Sequence, residues 1–255
     1  MITIDDILRR IDLHTGERAA ALLRGVIDRC ARGAPAATAV FDLDSTLLNN
    51  RPRQAMILRE YGEQRGIESL KRAKPEHWTG WAFKPAMVAA GLDPEVADAI
   101  GDDFKAFWEE RFFTSDYCAI DTPIAGAPAF VRAVAATDVR VCYVTGRHEG
   151  MRHGTEESFR GGGFPLPNNE RIQLLMKPSL EETDDEFKAE THAALRSLGP
   201  VATVFDNEPM HVNDYVAAFG DALVVHLATD HSPRAVLVAG GVPSIADFSD
   251  FAPGG

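Results

Sequence analysis

The chain has 255 residues, 45% of them hydrophobic and 25% charged. These ordinary globular values exclude a disordered or fibrous chain and allow one large domain, or a core carrying a smaller insert. The formal net charge is −12; an acidic surface repels a phosphate backbone, which argues against a nucleic-acid partner but leaves a small phosphorylated substrate open. Three widely spaced cysteines, Cys30, Cys118 and Cys142, fit unpaired thiols in a reducing compartment better than a disulfide framework. Met1–Asp6 shows no basic start followed by an apolar run, and no stretch approaches the roughly 20 apolar residues of a membrane span. The expectation is a soluble, cytoplasmic protein with no membrane partner.

Residues 4–13 and 17–30 place Ile4, Ile7, Leu8 and Ile11, then Leu22, Leu23, Val26 and Ile27, at helical spacing. Two amphipathic helices are expected to lead into the domain and cover its core. A short apolar run follows at 37–41, and four more at 139–144, 172–176, 201–205 and 223–227. Each has the length of a buried strand, and helical patterns lie between most of them. The fold class implied is α/β, a Rossmann-like parallel sheet of at least five strands covered on both faces. Residues 51–120 contain no strand-like run and are rich in Arg, Lys, Trp and Phe. They read as a helical insert in a core formed by residues 1–50 and 121–255, with Asp121–Gly126 as the turn back. Gly161, Gly162 and Gly163 follow no strand, so they read as a helix-to-strand connection and not as a phosphate cradle. The tail, 253–255, reads as frayed.

Chemistry concentrates at the strand ends. Phe41-Asp42-Leu43-Asp44-Ser45-Thr46 sets two carboxylates two residues apart directly after a buried strand. Acids there are costly unless something uses them, and ligands of open parallel sheets bind beyond the carboxyl ends of the strands. One carboxylate could attack an electrophile, and the other could protonate a leaving group and later activate water. A hard cation would neutralise them and the phosphate oxygens between them. The second strand ends Val144-Thr145-Gly146-Arg147, either a site for a phosphoryl oxygen or a simple turn. The fourth ends Phe205-Asp206-Asn207-Glu208, where Asp206 could complete a magnesium site with Asp42.

The ordered set Asp42-x-Asp44-x-Thr46, Thr145-Gly146-Arg147, a lysine, then Asp206 resembles the haloacid dehalogenase (HAD) superfamily. The resemblance spans about residues 36–50 and 121–230. It implies Asp42 as nucleophile and magnesium ligand, Asp44 as general acid and base with its backbone carbonyl on the metal, and Thr145 on a phosphoryl oxygen. Asp206 would hold Mg2+, and the first strand would lie between the second and fourth. The insert would be a helical cap that selects the substrate. An acid at position 44 implies phosphate-ester chemistry. Two lysines could be the family's: Lys177, in Met176-Lys177-Pro178, or Lys188, whose 18-residue gap to Asp206 suits one helix and one turn. Asn207 or Glu208 would orient metal-bound water, while Asp214 belongs on the next helix.

The function implied is a phosphatase acting on a small phosphorylated metabolite. The alternatives are a phosphotransferase or mutase on the same aspartate, and a catalytically silent binding protein. Arg147 is a candidate either for substrate phosphate or for tying down a loop, and Arg51 and Arg53 are expected at the surface of the core-to-insert junction, with a substrate contact as the other option. Trp78, Trp81, Phe83 and Lys84 are expected to pack the insert, with a substrate-facing surface as the other option. His148 and His153 do not have zinc-site spacing, and His211, after the Asp206 turn, is expected at solvent near the site; none reads as a metal ligand.

Overall fold

The computed structural model describes residues 11–252. In chain order the core begins with β1 (Asp12–His14), α1 (Glu17–Gly33) and β2 (Thr38–Phe41), followed by β3 (Leu48–Asn49). Residues 51–118 then hold two short 3-10 turns (Leu70–Arg72 and Pro75–His77) and five α-helices: α2 (Arg51–Arg65), α3 (Phe83–Ala89), α4 (Pro94–Ala99), α5 (Gly101–Phe112) and α6 (Ser115–Cys118). The core resumes with β4 (Thr122–Pro123), α7 (Ala127–Ala135), β5 (Arg140–His148), α8 (Arg152–Gly162) and β6 (Ile172–Lys177). It ends with α9 (Asp184–Leu198), β7 (Val201–Asp206), α10 (Pro209–Ala218), β8 (Leu223–Leu227) and β9 (Pro243–Ile245).

Seven strands form one sheet in the order β1-β9-β8-β7-β2-β5-β6, and every neighbouring pair is parallel. The five expected strands are all present, and β2 lies between β5 and β7. The sheet is buried on both sides. One apolar cluster joins Leu23, Val26 and Cys30 of α1 with Phe41, Phe130 and Phe205; the other joins Val40, Val144 and Val204 with Phe187, Leu195 and Tyr215 of α9 and α10. That double cover explains why the strands read as continuous apolar runs. In α1 the buried Ala19, Leu23, Val26 and Cys30 make a single helical stripe.

The expected helix over 4–13 needs correction. Residues 4–10 lie outside the described residues, and Asp12–His14 is an edge strand paired with β9. The short segment gains a parallel ladder that outweighs its helical spacing. The tail 253–255 also lies outside the described residues. All three cysteines are free and buried, and burial pushes the Cys142 thiol up to about 12. Gly163, at φ 75°, ends α8 in the left-handed conformation, so the glycine run serves a helix end.

The helical segment has its own apolar cluster, built on Leu58, Tyr61, Trp78, Phe104 and Trp108. It leaves and rejoins the core through the antiparallel pair β3–β4. Helix α6 packs tightly on α8: a Cβ on Gly154 would lie 1.7 Å from the Ser115 carbonyl oxygen. No helix among the described residues is long and apolar enough to cross a membrane.

Candidate active site

Strand register sets the floor of the site. Phe41 pairs with Tyr143 on one side and Phe205 on the other, so Asp42 and Asp206 emerge at the same level. The chain then doubles back: the amides of Thr46, Leu47 and Leu48 all donate to the Leu43 carbonyl, at 3.1, 2.9 and 2.8 Å. Ser45 takes φ 60° within this loop, a left-handed conformation uncommon outside glycine. The loop returns the Thr46 hydroxyl to 2.8 Å from Asp42 Oδ2 and 3.1 Å from Asn207 Oδ1. Its single proton can serve one of them at a time.

Lys188, in the second turn of α9, bridges the two strand-end acids. Its Nζ donates to Asp42 Oδ1 at 2.8 Å and to Asp206 Oδ2 at 2.6 Å. Burial opposes its charge, but Asp206 and Asp42 hold it well above the ordinary lysine value. Burial pushes Asp42 upward and the Asp206 charge adds to this, against the pull of Lys188 and Thr46. Two buried carboxylates therefore share one ammonium, leaving one negative charge uncompensated. Lys177 lies elsewhere: its Nζ donates to Asp184 Oδ1 at 2.7 Å and to the Glu182 carbonyl at 2.8 Å.

Asp44 sits in a different electrostatic setting. Arg147 grips it with two bonds, Nε to Oδ2 at 2.9 Å and Nη2 to Oδ1 at 2.8 Å, and Arg53 Nη2 donates to Oδ1 at 2.9 Å. Burial alone would raise Asp44, but Arg147 and then Arg53 hold it well below the usual carboxylate range. Both arginines also meet the buried Asp121. Arg147 Nη2 donates to Asp121 Oδ2, and Arg53 Nε lies 3.0 Å from Oδ1, an ion pair without hydrogen-bond alignment. The expectation of a surface Arg53 is thus corrected. It is fully buried, lies over the Phe112 ring at 3.9 Å and donates to the Phe112 carbonyl at 3.0 Å. Such burial is tolerated because two carboxylates face it. Arg51 pairs with Asp230 through two bonds of 2.6 Å.

Thr145 is fully buried, and its Oγ1 accepts from the Arg147 amide at 3.2 Å. Gly146 and Arg147 line the cavity, whereas Thr145 does not. Glycine suits position 146 because a Cβ there would lie 2.3 Å from Asp184 Oδ2. Asn207 lies against Thr46, and Glu208 accepts from the Ser232 amide and hydroxyl at 2.9 and 2.8 Å. Asp214 lies exposed on α10. His211 Nε2 donates to Asp185 Oδ1 at 2.9 Å, and Arg234 also donates to Asp185. His148 meets the Phe113 carbonyl at 3.0 Å.

These groups surround a cavity of about 350 Å3, with Asp42, Asp44, Lys188 and Arg147 on the core side and Trp81, Trp108, Phe112 and Phe113 opposite. The expected packing of the insert aromatics divides. Trp78 is fully buried and Phe83 packs on Trp78, Phe104 and Trp108, whereas Trp81 reaches the cavity. Sequence reasoning missed Asp121 and the Asp185–His211–Arg234 group. The only signal for them is the collection of charges around turns, which most solvated surfaces share.

Among the described residues no three His, Cys, Asp or Glu side chains converge as a metal cage. The donor set still fits magnesium, which takes one or two carboxylates and completes its shell with water and phosphate oxygens. The uncompensated charge on Asp42, Asp206 and Lys188 is of the sign a cation would balance.

No protein-family model and no curated protein sequence matches the chain. Solved structures do. Mycobacterium tuberculosis Protein Tyrosine Kinase A is 18% identical at TM-score 0.51, covering 86% of this chain and 97% of that one. A HAD hydrolase of family IA, variant 3, from Entamoeba histolytica is 14% identical at TM-score 0.47, covering 85% and 96%. CbbY from Rhodobacter sphaeroides, solved in complex with phosphate, is 17% identical at TM-score 0.46, covering 83% and 94%. At 18% identity the likeness to Protein Tyrosine Kinase A speaks of fold alone, and the chain shares that α/β fold, with a parallel sheet in which β2 lies between β5 and β7.

Proposed function

We propose that the protein is a magnesium-dependent phosphohydrolase that cleaves a small phosphorylated metabolite through a phosphoaspartyl intermediate on Asp42. The observation that carries this is the placement of Asp42 on the cavity floor, between Lys188 at 2.8 Å and Thr46 at 2.8 Å, with Asp44 two residues on. A carboxylate oxygen of Asp42 attacks phosphorus, the bond from phosphorus to the leaving oxygen breaks, and that oxygen takes the proton that Asp44 carries in its acid form. Water then attacks the phosphoaspartate, its proton passes to Asp44, and Asp42 is restored with release of inorganic phosphate. The two guanidiniums keep Asp44 ionised in this conformation, the form that accepts a proton from water. Lys188 offsets charge gathering on the transferring group, and the Gly146–Arg147 turn borders the phosphate position. Bound by Asp42, Asp206 and the Asp44 carbonyl, Mg2+ would neutralise the carboxylates and phosphate oxygens that otherwise repel each other. In this reading residues 51–120 are the cap over a core of residues 1–50 and 121–255.

The test is phosphate release from a panel of phosphorylated metabolites, with magnesium and then with excess chelator. Release that depends on the metal and is abolished in Asp42→Asn, with an unchanged far-UV spectrum, is the expected result. An Asp42→Asn protein with near-wild-type turnover would refute the nucleophile. Transfer to an added alcohol in place of phosphate release would redirect the reading to phosphotransfer.

A further inference from the structure

The cavity has two chemically distinct walls, and the one facing the phosphate chemistry is aromatic. Trp108 and Phe112 lie one turn apart on α5 and stack at 4.2 Å with their planes 19° apart. Phe113 meets Trp108 edge-on at 5.4 Å, and Trp81 meets Phe112 edge-on at 5.8 Å. The four rings brace one another, and behind them Phe83 packs against Trp108 at 5.1 Å. Phe112 has Trp108 stacked on it and Arg53 over its ring, so this locked wall offers an entering group the edge of Phe112 and the partly exposed surfaces of Trp81 and Phe113.

Charge narrows the occupant further. Outside the phosphate floor, the rim carries Asp184 (paired with Lys177), Asp185 (paired with Arg234 and His211) and Glu208, which accepts from Ser232 and has no ion-pair partner among the described residues. Among the described residues the cationic groups there outside the floor are Arg234 and, when protonated, His211, and both are already bound to Asp185, at 2.8 and 2.9 Å. Lys188 and Arg147 are each held by two carboxylates. A second anionic group on the substrate, a carboxylate or another phosphate, would face acids with no unengaged cation to receive it. An uncharged or cationic ring would meet aromatic faces and a negative rim, both of which favour it.

From this aromatic wall and acidic rim we infer that the substrate's leaving group carries a planar ring, uncharged or cationic, that packs against Trp81, Trp108, Phe112 and Phe113. The inference rests on the phosphohydrolase reading and specifies its substrate class. A cavity of about 350 Å3 is at the lower end of small-molecule sites, roughly 300–1,000 Å3, and so holds a phosphate with one ring system better than an extended chain.

Turnover alone cannot test this, because a phenol leaves more readily than an alcohol in any site. The test is therefore binding to Asp42→Asn, measured by calorimetry with magnesium present, alongside KM for the wild-type protein. The ligands are phenyl, cyclohexyl, ethyl, 4-aminomethylphenyl and 4-carboxyphenyl phosphate, with adenosine 5′-monophosphate to place the ring one sugar away. Phenyl phosphate is expected to bind at least about tenfold more tightly than its cyclohexyl and ethyl counterparts, a difference of about 1.4 kcal/mol. The 4-aminomethyl ester should match or exceed it, and the 4-carboxy ester should fall at least about tenfold below. Trp81→Leu, a change at a partly buried position, should erase most of the phenyl preference and act on KM. Equal affinity for phenyl, cyclohexyl and ethyl phosphate, with phosphate still released, would overturn the inference and leave the hydrolase reading standing. Preference for the carboxylate-bearing ester would overturn it equally. Neither binding nor turnover of any ester would bring down the hydrolase reading, and this inference with it.

Discussion

The two walls of the cavity are built by different means. On the core side, Asp42 and Asp206 sit where parallel strands end, and backbone register alone brings them level. On the opposite side, Trp81, Trp108 and Phe112 owe their places to ring packing within a helical segment that has its own apolar cluster. Chemistry placed by sheet topology can be read one residue at a time. A surface placed by packing of an insert cannot, because each ring could equally serve the interior. The two regions are tied at one point. Arg53 from the insert side and Arg147 from the core close on the same two carboxylates, Asp44 and Asp121.

That tie is the first place to break the comparison. Arg53→Met leaves Asp44 and Asp121 with one guanidinium between them in a buried setting. Loss of one partner from a buried ion network costs about 3–5 kcal/mol, which at this chain length lowers Tm by roughly 6–20 °C. Arg53→Lys should recover little, since an ammonium lacks the planar fork that meets Asp44, Asp121 and the Phe112 carbonyl together. Arg53→Met combined with Asp121→Asn should recover part of the loss, because one charge of each sign has gone. A thermal melt of the single variant within about 1 °C of wild type would mean that the network does not hold the joint.

The two lysines sharpen the core side. Lys188→Met removes the only ammonium between Asp42 and Asp206, and phosphate release should fall about 10²–10³-fold, the scale of losing one preorganised charge donor. Lys177→Met removes a partner of Asp184 and the Glu182 carbonyl, and its effect on turnover should stay within about tenfold. Steady-state rates on the best panel substrate separate the two. Comparable losses would show that the Asp184 side of the cavity takes part in the chemistry.

Much of the core was legible because its signals are local. Five apolar runs of strand length, each followed by turn residues, map onto β2, β5, β6, β7 and β8. The level placement of Asp42 and Asp206 follows once the sheet is parallel and β2 lies between its neighbours. The 18-residue gap from Lys188 to Asp206 suits one helix and one turn, which is the path α9 takes. What stayed hidden depends on partners far along the chain. β1 and β9 are three residues each, Asp12-Leu13-His14 and Pro243-Ser244-Ile245, and neither has a strand pattern apart from the other. Arg53 reads as a solvated charge until Asp121, 68 positions later, is folded against it. Trp81 and Trp78 are three residues apart and of one type, yet one lines the cavity and the other is sealed in the insert.

The smallest effect is the most specific, because it opposes two acids two residues apart. Asp44 is held below the usual carboxylate range. Between its folded and unfolded values the unfolded chain binds more protons, so stability rises with pH. Its contribution is fully present above about pH 4 and is lost as pH falls below that. Asp42 is pushed up by burial and by Asp206, so the native state binds more protons, and its term weakens the fold as pH rises from about 4 through the folded value. In chelator, Asp42→Asn should therefore be more stable than wild type at pH 8, by about 1–3 kcal/mol, with the gain shrinking to nothing towards pH 4. Asp44→Asn should be less stable by a similar amount at pH 8, and its deficit should shrink as pH falls below 4. Denaturant midpoints of the three proteins across pH 3–8 test both signs. Added magnesium should cut the advantage of Asp42→Asn, because a bound cation compensates the charge that the asparagine removes. An advantage indifferent to magnesium would place the cation away from Asp42, while opposite pH slopes would still support the contrast between one starved and one saturated carboxylate.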